Sequence, residues 1–147
     1  MKKLMLPTVI LLFAIFFAYL LVLTKTPTAT INNHSFRLYL AKTPQEKEVG
    51  LSKYDTIPQD SGMLFLFERP SFYAFWMKDM KFPIDIIFIS KNRIVTIYSS
   101  VKPPKTSNQI LSAFYPLESA NMVLEINANL SNKYGFKNGD IVKINNL

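Results

Sequence analysis

The chain has no cysteine, one histidine and one tryptophan in 147 residues. Without thiols there can be no disulfide and no thiolate zinc site. With His34 the sole imidazole, a transition-metal centre lacks its usual donors. No Ser/His/Asp or Cys/His arrangement and no glycine-rich phosphate loop is present, so neither a cofactor nor a metal is expected. His34 itself falls at a predicted turn, where a solvated side chain is the simpler expectation. Acidic residues are the scarcer charge, 10 against 17 basic ones, for a net charge of +7. Lys2, Lys3 and Lys25 flank the N-terminal segment, and the other basic residues are scattered singly. A nucleic-acid partner would call for a basic stripe with interleaved aromatics, so none is expected.

Charge is missing altogether from Leu4 to Thr24, a run dominated by Leu, Ile, Phe, Val and Ala. As a helix this run is about 30 Å long, the thickness of a bilayer's hydrocarbon core. A cleaved signal peptide would have a shorter apolar core and a small-x-small site. Ala18-Tyr19-Leu20 offers no such site, and Pro27-Thr28-Ala29 is a poor one. The reading is therefore a signal anchor over residues 1–24, with Leu4–Leu23 in the bilayer, then a linker at 25–28 and one domain at 29–147. Lys2 and Lys3 favour an inside N-terminus, which puts the domain on the periplasmic or extracellular side. The alternative is secretion after cleavage.

The rest of the chain is organised around Gly62–Ile89, which holds Trp76, three methionines and the densest run of aromatics. Ala29–Ile31 and Ser35–Ala41 suit a hairpin. Thr43-Pro44-Gln45-Glu46 is a helix start, with Thr at the N-cap, Pro at N1 and Glu at N3, and Gly50 ends the helix. Met63–Phe67, apolar at every position, predicts a strand buried on both faces. Phe72–Lys78, Ile84–Ile89 and Ile94–Val101 are read as further strands, joined by short turns into an antiparallel meander. Lys102–Pro116 is an irregular excursion. Met122–Asn127 is a strand, Ala128–Tyr134 a short helix stopped by Gly135, and Ile141–Ile144 a closing strand. The fold class is α+β: a mainly antiparallel sheet, either open or curled into a partly open barrel, with two short helices after the transmembrane helix. Its expected core is Leu64, Phe65, Phe67, Phe75, Ile86, Phe88, Leu124 and Ile126.

Several segments together resemble the family catalogued as domain of unknown function 192, over residues 43–145. They are Gly50-Leu51, Gly62-Met63-Leu64-Phe65 with Phe67, Phe75-Trp76-Met77-Lys78, Pro83-Ile84-Asp85-Ile86-Ile87-Phe88-Ile89, Val123-Leu124-Glu125, and Gly139-Asp140-Ile141-Val142. The resemblance implies a compact α+β domain, often exported or membrane-anchored, and brings no known reaction with it. Three positions depart from the family's usual pattern. Ser52 stands where Met follows Gly-Leu, Asp79-Met80 where Asn-Thr follows Trp-Met-Lys, and Asn127-Ala128-Asn129 where Ala-Gly follows the Leu-Glu strand. If Asn-Thr shapes a ligand site, that site is altered here.

Charged residues inside hydrophobic strands mark the candidate chemistry, because an unpaired buried charge costs several kcal/mol or more. Lys78, Asp85 and Glu125 are such residues. A Lys78–Asp85 salt bridge closing a hairpin is the plain structural expectation. The functional one is a ligand site of Trp76, Met77, Lys78, Asp85 and Glu125, with an apolar group against Trp76 and an anionic group against Lys78. Trp76 and Met77 could equally be core. No catalytic residues are assigned; the alternative is a hydrolase-like pair, Asp85 with Glu125, whose environments would have to separate their pKa values. The function read from the sequence is thus a membrane-anchored extracytoplasmic module that binds a small molecule or a protein. A structural partner of another membrane protein is the third possibility.

Overall fold

A computed structural model describes residues 9–17, 25–106 and 109–147. Residues 9–17 form a helix, α1, with exposed apolar side chains. Among the described residues no helix is long and apolar enough to cross a membrane, and the remainder of Leu4–Leu23 lies outside them.

Seven strands follow: β1 (Thr28–Ile31), β2 (His34–Ala41), β3 (Ser61–Ser71), β4 (Ile84–Ser90), β5 (Arg93–Val101), β6 (Ala120–Asn127) and β7 (Val142–Asn145). Helix α2 (Pro44–Val49) runs into a 3-10 turn, Gly50–Lys53, and α3 is a single turn, Leu130–Lys133. The α2 start carries the capping box expected of its sequence. Thr43 Oγ1 accepts from the Glu46 N–H, and the Glu46 carboxylate accepts from the Thr43 N–H. The Thr43 N–H, and then the Lys42 N–H, hold the Glu46 carboxyl below its ordinary pKa.

The sheet order is β5-β4-β6-β3-β2-β1-β7. Every pairing is antiparallel except β2 with β3, which are parallel and joined through α2. The expected meander is corrected by the insertion of β6 between β3 and β4, and the α2 crossover adds one parallel pair to the sheet. Phe72–Lys78 is not a strand either. Phe75 and Met77 are buried while Phe72, Ala74, Trp76 and Lys78 are exposed, so its alternation is real. The alternation reports an extended strap laid across the sheet, pinned by the Phe75 N–H to Phe114 O (2.9 Å) and the Phe114 N–H to Phe75 O (2.7 Å).

The sheet curls until its two edges meet. The Ile94 N–H donates to Asp140 O (3.0 Å), the Gly139 N–H to Ile94 O (2.7 Å) and the Val142 N–H to Asn92 O (2.9 Å). Inside the curl lies one core, including Ile31, Phe36, Leu64, Ile87, Ile89, Leu124, Ile126 and Val142. On the outer face of β3, β4 and β6 lies a second, in which Met63, Phe65, Ile86, Phe88 and Val123 pack with Leu51, Ile57, Phe82 and the strap's Phe75 and Met77. Of the expected core residues only Phe67 is not buried. Burial on both faces explains why the central strands show no polar alternation.

At Gly62, β3 has no room for a side chain against β6. A Cβ built there would lie 2.6 Å from Glu125 O and 2.9 Å from Ile126 Cγ2. Gly62→Ala is expected to cost about 1–3 kcal/mol, because backbone must shift to admit the methyl group. A urea midpoint equal to wild type would show that the two strands separate freely.

Candidate functional site

Asp85 and Glu125 lie on neighbouring strands and face opposite ways. Asp85 is registered with Ile126 and Ile86 with Glu125. Since side chains alternate along a strand, Asp85 points into the curled sheet and Glu125 to the outer face. A catalytic pair of these two carboxylates is ruled out by this register.

Asp85 is fully buried and saturated with donors. It accepts from the Ser100 N–H (2.7 Å) and Ser99 Oγ–H (3.2 Å) on β5, the Asn129 N–H (2.8 Å), and the Ser131 N–H (2.8 Å) and Oγ–H (2.6 Å) on α3. Ser100 and Asn129 both have positive φ, 56° and 67°. The carboxylate thus holds two unfavourable backbone turns and supplies the anion at the start of α3, whose own N-cap side chain makes no capping bond. The expected Lys78–Asp85 bridge is corrected: Lys78 is exposed on the strap, and Asp85 is consumed by β5 and α3.

Glu125 has the opposite surroundings. It is 4% exposed and lines an open cavity of about 340 Å³ between α2, β3 and the strap. Burial alone pushes its carboxyl up to about 8, with no hydrogen bond or cation among the causes. At pH 7 it is therefore mainly a neutral acid with a proton to give.

The cavity's walls are aromatic: Phe65, Phe67, Tyr73, Phe75 and Trp76. Tyr73 stacks on Phe67 with centroids 3.7 Å apart, and Phe75 stands edge-on to Phe65 at 4.9 Å. Lys47 Nζ sits 4.5 Å over the Phe67 ring. Lys78 and Glu48 are the other charged wall residues.

Three of the predicted site residues, Trp76, Lys78 and Glu125, are thus brought together. Met77 is buried in the outer core and Asp85 lies on the other side of the sheet. Lys47 and Tyr73 were missed. Lys47 comes from the α2 crossover, and nothing in its local sequence marks it. Tyr73 could have been found from the alternation, which puts it on the same side of the strap as Phe75.

This architecture, a curled, mainly antiparallel sheet with few short helices and a strap-covered outer face, defines a small α+β domain. The chain belongs to the DUF192 family, described as Uncharacterized ACR, whose model matches residues 27–144. A crystal structure of a protein of unknown function from Novosphingobium aromaticivorans is similar, with 31% identity and a TM-score of 0.71, over 80% of this chain and 83% of that one. A second, from Sinorhizobium meliloti and assigned provisionally to transcription regulation, has 27% identity and a TM-score of 0.69, over 80% of this chain and 91% of the other. No curated protein matches the chain.

Proposed function

We propose that this domain is a non-enzymatic binding module for a small, largely apolar molecule, held at the outer face of a membrane by Leu4–Leu23. The reading is carried by Glu125, whose carboxyl opens onto an aromatic-walled cavity and has no protein hydrogen bond among the described residues. Its oxygens face the cavity and not closed core, so a bound molecule can hydrogen-bond them in place of solvent. The aromatic walls suit a hydrocarbon or aromatic body, as small-molecule pockets commonly do. The anchor rests on the uncharged length of Leu4–Thr24.

Native mass spectrometry of the full chain, released from its own host's membranes, is expected to show a retained small molecule that Trp76→Ala diminishes. Trp76 is the sole tryptophan and borders the cavity, so its emission also reports occupancy. A bare chain whose Trp76 emission answers to no apolar fragment would overturn the reading. Extraction of the chain by alkaline carbonate wash would overturn the anchor.

A further inference from the structure

The charges on the cavity wall narrow the ligand's class. From α2 the cavity receives Lys47 and Glu48, and from the strap Lys78 and the Tyr73 phenol. β3 contributes Phe65 and Phe67, and β4 sets Ile86 opposite Glu125 in the register. With Glu125 neutral, the wall carries two cations against one anion. It also presents one acidic proton and, among the described residues, no protein acceptor for it. An amine would meet like charge from both lysines, and a neutral hydrocarbon would displace solvent from the carboxyl and return no hydrogen bond.

We propose that the ligand is an apolar monocarboxylic acid. It is bound as its carboxylate, accepts the proton of the Glu125 carboxyl in a hydrogen bond, and takes its counter-charge from Lys47 and Lys78. Its hydrocarbon body lies against Phe67, Tyr73 and Trp76. This assignment rests on the binding reading above and adds the charge and protonation state of the complex. No bond is made or broken; one proton is shared between two carboxyl groups, a strong charge-assisted arrangement. Because the complex needs that proton, binding must take one up wherever free Glu125 has lost it. Affinity is therefore level at neutral pH and falls about tenfold per pH unit above the titration of Glu125.

The test uses the full chain and three probes differing only in their head group: 4-phenylbutyrate, 4-phenyl-1-butanol and 4-phenylbutylamine. Each is titrated against Trp76 emission at pH 7 and pH 9. The butyrate is expected to bind tightest at pH 7 and to lose about tenfold by pH 9. In Glu125→Gln, whose amide still donates but does not titrate, its affinity should be the same at both values. Tightest binding by the amine or the alcohol overturns the proposal and leaves a binding cavity in place. So does butyrate affinity that is flat in wild type, or that falls equally in Glu125→Gln. Silence of all three probes, together with a bare native mass, overturns the binding reading itself.

Discussion

Asp85→Ala is expected to lower the free energy of unfolding by about 3–5 kcal/mol. One carboxylate accepts five hydrogen bonds, three of them from backbone N–H groups of Ser100, Asn129 and Ser131. Alanine leaves those donors without an acceptor in a site too buried for water to serve all of them, and each stranded donor costs about 1–3 kcal/mol. The left-handed turns at Ser100 and Asn129 lose the group that holds them, so some of the cost is recovered by local relaxation. Asp85→Asn keeps the shape but turns an amide NH2 toward donors, and should lie between wild type and alanine. Urea unfolding of the three proteins gives the comparison. An alanine midpoint within error of wild type would mean that Asp85 does not organise β5 and α3.

The second large effect has the opposite sign. Glu125→Gln is expected to stabilise the ligand-free chain at pH 7 by on the order of 3 kcal/mol. The folded carboxyl titrates at about 8 instead of its ordinary 4.5, because burial penalises its charged form. Between those values the folded chain keeps a proton that the unfolded chain releases. Wild-type stability is therefore full below about pH 4.5, falls as pH rises toward 8, and levels off beyond it. Glutamine has the same shape and no proton to lose, so its profile should lack that decline. Thermal melts from pH 4 to pH 9 are expected to converge at the acid end and diverge toward neutrality. Parallel curves would show that Glu125 is solvated in the folded chain.

The strands legible in the sequence were those whose burial is set by the strand itself. Met63–Phe67 and Ile84–Ile89 are apolar enough that only a two-sided sheet could bury them, and both stand in β3 and β4. The α2 start was legible because a capping box is a local object. Strand order was not, because it depends on which surfaces meet. Leu124 serves a strand equally well between β3 and β4 or at an edge. The strap deceived for the same reason: alternating burial needs a surface to lie on, not a hydrogen-bonded neighbour. In the site, hydrophobic context singled out Asp85 and Glu125 alike, since both interrupt apolar strands. Their different fates follow from register. One faces the backbone donors of Ser100, Asn129 and Ser131, while the other faces a cavity. Lys47 escaped notice because its neighbour Phe67 is twenty residues away in sequence and meets it only through the parallel crossover.

The joining of the sheet's edges also fixes when the domain can finish folding. β7 is the last strand in chain order, yet Thr28 of β1 pairs with Asn145 and Ile94 of β5 donates to Asp140. A chain delivered from its N-terminus, by synthesis or by export through a pore, holds β1 and β5 as bare edges until β7 arrives. Contacts that span so much of the sequence form slowly. Such a chain remains threadable for most of its delivery and locks only when its final strand is in hand.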